Sequence, residues 1–324
     1  MVLPASSSSP WILVREPTNV NFRRAKPPFP VVARRPGDLR GPSGPFAPAY
    51  AGAVQAPRLV ATDVDGTLLD PHDRVTPRAA AVIDRLVAAG VTFVLVTGRP
   101  PRWIPPILAE LGALARLAVC ANGAVLYDAV ADAVLWSRTL LTDTLVALAE
   151  ATAEVLPGAG LAVERVGATA DDPSVTQFIA EPAYVHAWPN PDHSSVERAE
   201  LLTQPAIKML ARAPGLSSDA MVAALTPAVG HLADLTFSHP RGLVEMSPPG
   251  VTKATGLAEV ARYLGVAAAD VVAFGDMPND LEMLRWAGHG VAMGNAHPVL
   301  LDIADEVTAS NADDGVAVVL ERWF

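Results

Sequence analysis

A single cysteine, Cys120, in 324 residues leaves no pair to close within the chain. That excludes an internal disulfide framework and fits a reducing, cytoplasmic compartment. A cysteine-nucleophile phosphatase reading of Cys120 would need an arginine six residues on, where Leu126 stands. The thiol is therefore expected to act as a small buried hydrophobe. No apolar run approaches the ~20 residues that span a bilayer, so a soluble protein without a membrane partner is expected. A Walker-type lysine loop and a Gly-x-Ser-x-Gly elbow are also missing, which removes the NTPase and serine-hydrolase classes.

Positive charge is scarce outside the N-terminus. Residues 1–56 hold seven basic residues (Arg15, Arg23, Arg24, Lys26, Arg34, Arg35, Arg40) against Glu16 and Asp38. With the whole chain at -10, the remainder stands at -15. So acidic a body argues against a nucleic-acid or anionic-membrane surface, and an anionic substrate needs a locally positive site or a bound cation. The first 56 residues are rich in Pro, Arg and Ser and show no sustained periodicity, so they are expected to be a disordered extension. Although basic like a targeting segment, the stretch has no apolar region followed by a small-residue cleavage site.

From Arg58 onward, apolar strands alternate with helical patterns. Leu59–Thr62 is a short strand ending on Asp63. Thr76-Pro77 sets an N-cap and a first-turn proline before a helix with Val82, Ile83, Leu86 and Val87 on one face, closed by Gly90. Val91–Val96 reads as a strand buried on both sides, followed by a helix near Trp103–Leu111 and a strand Leu117–Ala121. This β-α-β-α-β run predicts a doubly wound, Rossmann-like parallel sheet with right-handed crossovers. After Asn122-Gly123 the texture changes: a hairpin around Asp128–Asp132, then short strands interleaved with helices at Thr142–Leu156 and Ser217–Val229. Residues 137–244 are expected to form an inserted α+β unit. Alternation then resumes, with a helix from Thr252, strand Val271–Gly275, helix Asp280–Ala287, strand Gly290–Met293 and a final helix near Asp313–Glu321.

Four polar clusters fall at strand ends or where the chain re-enters the sheet, the places where doubly wound folds bind ligands. Asp63-Val64-Asp65-Gly66-Thr67-Leu68 offers two carboxylates two residues apart. One suits a nucleophile or metal ligand and the other a general acid/base over the same atom. An EF-hand loop would need Asp or Asn at Thr67 and Gly at Leu68. Thr97-Gly98-Arg99 places a hydroxyl and adjacent amides after a buried strand, as a phosphate cradle does. Lys253 opens a helix where it can neutralise phosphate and nucleophile. Gly275-Asp276-Met277-Pro278-Asn279-Asp280 adds two carboxylates and an amide between strand and helix. Oxygen donors without His or Cys point to a hard cation, Mg²⁺. A phosphate dianion approaches so many carboxylates only where a cation bridges them.

In this order, Asp63–Leu68, Thr97–Arg99, Lys253 and Gly275–Asp280 resemble the four motifs of the haloacid dehalogenase superfamily. Asn122-Gly123-Ala124 and the closing runs Gly290–Ala296, Ala304-Asp305 and Asp314–Val316 resemble its Cof-type phosphatases. The resemblance covers about residues 58–320 and implies a catalytic core of residues 57–136 and 245–324 with a C2-type cap at 137–244. It implies that Asp63 is nucleophile and Mg²⁺ ligand. Asp65 protonates the leaving group, activates water and lends its backbone carbonyl to the metal. Thr97, Gly98, Lys253 and Asn279 bind phosphate, and Asp276 and Asp280 serve the metal. The expected reaction is hydrolysis of a small phosphate monoester (a sugar phosphate, phosphorylated cofactor or nucleotide) through an aspartyl-phosphate.

A phosphomutase or other phosphotransferase uses the same machinery, and a non-catalytic ligand sensor is the reading from another class. Intact Asp63 and Asp65 weigh against the sensor. Gly288–Gly294 looks like a dinucleotide fingerprint, but helix and strand flank it in reversed order. Substrate choice is expected in the insert, where His186, Trp188, His193 and Arg212 could face a ligand but are expected first to serve the surface or the packing, and Lys208 is expected to snorkel from an apolar strand.

Overall fold

The computed structural model describes residues 56–112, 114–187 and 193–324, with the backbone alone for His193. The expected N-terminal extension, up to residue 55, and Trp188 lie outside the described residues, as does the His193 side chain.

The first strand, β1 (Leu59–Thr62), is buried throughout, as an all-apolar run covered on both faces must be. It is followed by α1 (Pro77–Ala88), whose start is fixed by Thr76 accepting from Ala79 N at 3.1 Å. Next come β2 (Thr92–Val96), α2 (Pro105–Glu110), β3 (Leu117–Cys120) and the hairpin β4 (Val125–Asp128) and β5 (Ala133–Ser137). The helix expected from Trp103 begins two residues later, because Pro105 and Pro106 suit a helix start and Pro101–Trp103 forms a separate single turn.

The insert contributes α3 (Thr142–Val155), β6 (Gly160–Glu164), β7 (Phe178–Ala180), β8 (His193–Ser195), α4 (Arg198–Leu201), β9 (Lys208–Arg212), α5 (Ser218–Val229), β10 (Asp234–Thr236) and β11 (Leu243–Ser247). The chain then returns through α6 (Lys253–Leu264), β12 (Val271–Gly275), α7 (Leu281–Trp286), β13 (His289–Ala292), α8 (Pro298–Leu301), β14 (Glu306–Val307) and α9 (Gly315–Leu320).

Two sheets result. The eight-stranded sheet runs β14-β13-β12-β1-β2-β3-β4-β5. It is parallel from β14 to β3, and only the terminal hairpin is antiparallel. The fold class is thus α/β, a parallel-rich sheet carrying an inserted α+β unit. The six-stranded sheet runs β10-β11-β9-β6-β7-β8 and is antiparallel except at β7–β8. The expected boundary at 244 falls inside β11, which runs to Ser247 within this second sheet.

Strand alternation gives the second sheet two unlike faces. Leu161, Val163, Met209, Ala211, Val244 and Met246 pack in one apolar cluster with Leu145 and Leu148 of α3 and Met221 and Leu225 of α5. The other face carries Phe178, Glu164, Lys208, Leu210 and Glu245. Register sets Phe178 opposite Glu164, Glu164 opposite Lys208 and Leu210 opposite Glu245. Charged residues in the middle of buried strands need partners: Lys208 and Glu245 pair with each other, and Arg102, Gly98 O and Asn122 on the side of the first sheet supply further ones.

Among the described residues, no helix is long and apolar enough to cross a membrane. Cys120 is a buried free thiol, and burial pushes its pKa up, with Lys208 opposing.

Candidate active site

Asp63 continues β1 by one residue, its amide donating to Phe274 O at 3.0 Å. Because β1 lies between β12 and β2, the Asp63 carboxyl, the Asp276 loop and the Thr97 loop share one edge of the sheet. Gly66 turns the chain away at φ +74°, and a Cβ there would lie 2.4 Å from Asp276 Oδ2. The close approach of the first and fourth clusters thus requires glycine.

Lys253 ties the cluster together. Its ammonium donates to Asp63 Oδ1 at 2.6 Å and Asp280 Oδ1 at 2.7 Å, all three side chains being buried. The start of a helix is the unfavourable end for a cation. The local sequence nevertheless fixes it there: Thr252 caps Thr255 N at 3.3 Å while Thr255 Oγ1 accepts from Thr252 N at 2.9 Å. Gly123 packs on this cap at φ +97°, where a Cβ would lie 2.0 Å from Thr252 O. Gly123→Ala is expected to push the start of α6 away and cost roughly 3 kcal/mol or more of stability, measured by urea denaturation. A midpoint matching the parent would refute that reading.

Asp63, Asp276 and Asp280 can each place a carboxylate oxygen within 4.8 Å of the others. Lys253 stays an ammonium: burial opposes its charge, but Asp280 and Asp63 more than offset that. The acids still hold an excess of negative charge. Burial first, then Asp280, Asp276 and Asp65, push Asp63 well above the usual carboxylate range against the pull of Lys253. Burial and Asp280 push Asp276 up to about 7 against Lys253 and Thr67, which donates to Asp276 Oδ1 at 3.1 Å. Three buried carboxylates, one lysine and no nitrogen or sulfur donor are a set that a hard divalent cation completes. Asp280 is the most committed of the three, since its Oδ2 also accepts from Asp276 N and Met277 N, both at 3.1 Å. Asp63 Oδ2 makes no hydrogen bond to the described residues.

Asp65 stands apart from the trio. Half-exposed, it is forked by Arg99, with Nη2 at 2.5 Å and Nε at 2.9 Å. Thr97 is fully buried, and its Oγ1 accepts from Arg99 N at 3.0 Å. Gly98 N–H has no partner among the described residues. A Cβ on Gly98 would come within 3.1 Å of Asn122 Oδ1. Asn279 Nδ2 donates to that same Asn122 oxygen at 3.0 Å, and Asn279 Oδ1 is buried without a hydrogen-bond partner.

A cavity of about 510 Å³ opens over this edge. From the first sheet it is lined by Asp63, Asp65, Gly98 and Asn279, and by Pro100, Trp103 and Met277. Phe178, Leu210, Glu164, Lys208 and Glu245 line it from the second. Of the residues singled out in the motifs, Asp63, Asp276, Asp280 and Lys253 thus form one buried cluster, and Asp63, Asp65, Gly98 and Asn279 line the cavity.

The cap candidates fare differently. His186 packs against Phe178 and Tyr184 at 5.3 and 5.1 Å, and Arg212 Nε donates to Val185 O at 2.9 Å; neither lines the cavity. Lys208 does not snorkel. It is buried and donates to Glu245 Oε2 at 2.7 Å and Gly98 O at 2.9 Å. Glu164, Glu245 and Asn122 were missed as site residues. Their signal was a charge or amide inside an apolar strand or turn, which demands a partner.

The sequence model of the haloacid dehalogenase-like hydrolases matches residues 60–320. The chain belongs to that family. The HMP-PP phosphatase of Serratia proteamaculans is 32% identical over 275 residues, covering 82% of this chain and 95% of the relative. The 5-amino-6-(5-phospho-D-ribitylamino)uracil phosphatase YitU of Bacillus subtilis is 30% identical over 273 residues, covering 83% and 98%. A haloacid dehalogenase-like hydrolase from Bacteroides thetaiotaomicron has the same fold, with a TM-score of 0.64 at 23% identity over 82% of this chain and 99% of that one.

Proposed function

We propose that the protein is a cytoplasmic Mg²⁺-dependent phosphatase that hydrolyses a small phosphate monoester through an aspartyl-phosphate on Asp63. The observation that carries this reading is the state of Asp63. One oxygen accepts from buried Lys253, the other makes no hydrogen bond among the described residues, and Asp63 lines a cavity walled by both sheets.

Asp63 Oδ2 attacks phosphorus, the bond to the ester oxygen breaks, and Asp65 gives that oxygen its proton. Asp65 then takes a proton from water, which attacks the aspartyl-phosphate, releases inorganic phosphate and restores Asp63. Arg99 engages both Asp65 oxygens in the structure, so the acid role requires one of them to leave that fork. The hydroxyl of Thr97, the backbone N–H of Gly98, which has no partner among the described residues, the ammonium of Lys253 and the side-chain amide of Asn279 would bind the phosphoryl oxygens. Asp63, Asp276 and the backbone carbonyl of Asp65 would hold Mg²⁺, with Asp280 orienting its waters, and the ion would offset the charge of the transferring group. The second sheet forms one wall of the cavity. The activity named for the Bacillus subtilis relative, on a phosphorylated ribitylamino-uracil, fits such chemistry.

The body of the ester meets Pro100, Trp103, Phe178, Leu210 and Met277. The cations at this wall are already engaged: Arg99 with Asp65, Lys208 with Glu245, and Arg102 with Glu164 at 2.5 Å. The site therefore suits one phosphoryl group on an uncharged, partly apolar body. A phosphate-release screen over monoesters, including the phosphoribitylamino-uracil named for the Bacillus subtilis relative, with the pyrophosphate HMP-PP run beside them, tests this. Turnover is expected with Mg²⁺ and none in EDTA. Monoesters are expected to surpass analogues carrying a second phosphate on the body by about tenfold or more. Phosphate release that persists in EDTA, or none from any ester with Mg²⁺, would sink the proposal.

A further inference from the structure

Lys208 and Glu245 belong to the inserted sheet, yet each is bonded to the loops that cradle phosphate. Lys208 Nζ lies 2.9 Å from Gly98 O, and Glu245 Oε2 accepts from Asn122 Nδ2 at 3.1 Å. The two side chains meet at 2.7 Å, and Ser238 Oγ donates to the remaining Glu245 oxygen at 2.5 Å. Glu245 is fully buried and Lys208 nearly so.

The consequence follows from peptide geometry. In a trans peptide the C=O and N–H point in opposite directions. Lys208 holds the carbonyl of the Gly98–Arg99 peptide, so the Arg99 N–H is turned away from it and donates to Thr97 Oγ1 at 3.0 Å. With that lone pair occupied, the Thr97 hydroxyl turns its proton elsewhere, as a donor to an anion. On the other side, Glu245 fixes Asn122, whose Oδ1 fixes the Asn279 amide at 3.0 Å. One buried pair in the insert thus sets two arms of the cradle.

Packing alone does not explain the pair, since apolar side chains of similar volume seat two sheets as well or better than a buried ion pair. Only a donor can hold Gly98 O, and only an acceptor can hold both Lys208 and Asn122. We propose that Lys208 and Glu245 are positioning residues: the insert, when seated, uses them to set the Thr97–Arg99 loop and the Asn122–Asn279 pair in their phosphate-binding geometry. This rests on the phosphatase reading above. It makes the insert a part of the phosphate site and not only a wall for the ester body.

The test compares the parent enzyme with Lys208→Met and with Lys208→Met/Glu245→Gln, each loaded with Mg²⁺. The single variant leaves Glu245 buried and unpaired and is exposed to misfolding; the double variant removes both charges and keeps the test open. For a double variant that melts cooperatively, kcat/KM is expected to fall about tenfold or more, chiefly through kcat. The factor should be the same for p-nitrophenyl phosphate as for every larger ester. Inhibition by inorganic phosphate should weaken in parallel.

A folded double variant with unchanged kcat/KM overturns the proposal. So does a loss confined to esters with large bodies, which would make Lys208 a contact for the leaving group. A parent protein that neither turns over any ester nor binds inorganic phosphate overturns the phosphatase reading, and this proposal with it.

Discussion

Asp63→Asn is expected to remove turnover by about 10⁴-fold or more while leaving the fold intact. The amide keeps the shape of the carboxyl and one oxygen for Lys253, but it cannot attack phosphorus. Stability should move the other way. Burial and the charges of Asp280, Asp276 and Asp65 all disfavour a carboxylate at this position, and only Lys253 supports it. The metal-free variant is therefore expected to melt no lower than the parent, the pattern of a site whose function is maintained against stability. Calorimetry in EDTA and phosphate release in Mg²⁺ read the two halves separately. Unchanged turnover in Asp63→Asn would end the covalent mechanism.

Lys253→Met should be the most damaging single change to the fold. It removes two charge-assisted hydrogen bonds and leaves Asp63 and Asp280 buried beside each other without their cation. Breaking a buried pair in this way costs about 3–5 kcal/mol. In a chain of this size that is a fall of roughly 10 °C in melting temperature in EDTA. Divalent cation should return part of it: a ligand at a hundred times its Kd contributes about 2.7 kcal/mol. The variant's deficit is thus expected to be larger in EDTA than in saturating Mg²⁺. Its kcat should fall about 10²–10³-fold even when folded, since the remaining donors do not replace a fixed positive charge. A metal-free variant that melts with the parent would mean that Lys253 does not hold the acids together.

The reach of the sequence can be judged from these same residues. Asp63, Thr97 and Asp276 were legible because each directly follows a short apolar strand, and the end of a parallel strand is already a place in space. Lys253 was legible by order along the chain and by its Thr252 cap. Lys208 and Glu245 were not. Each sits alone in an apolar run, and their meeting depends on β9 and β11 pairing with Glu245 opposite Leu210 and on that face turning toward Gly98. Register of this kind is set by tertiary packing, not by any local pattern. Strand ends were misplaced for a similar reason. The strand expected at Gly290–Met293 starts one residue earlier, at His289, which finds a ladder partner in Val272. Arg212, expected to pack sooner than to meet a ligand, donates its guanidinium to the carbonyls of Val185 and Arg241.

The position of β1 between β2 and β12 has a consequence for how the protein comes into being. During synthesis β1 acquires one neighbour within about a helix's length of chain, but the other only after the whole insert has been made. Until then one side of β1 is an open edge, and Asp63 waits for a lysine 190 residues downstream. Contacts so distant in sequence close slowly, and an unpaired apolar edge is the surface on which nascent chains stick to one another. The arrangement that lets one lysine neutralise two distant acids therefore makes the enzyme one of late assembly. Its centre is completed only by elements that follow the insert, and β1 depends until then on their being made.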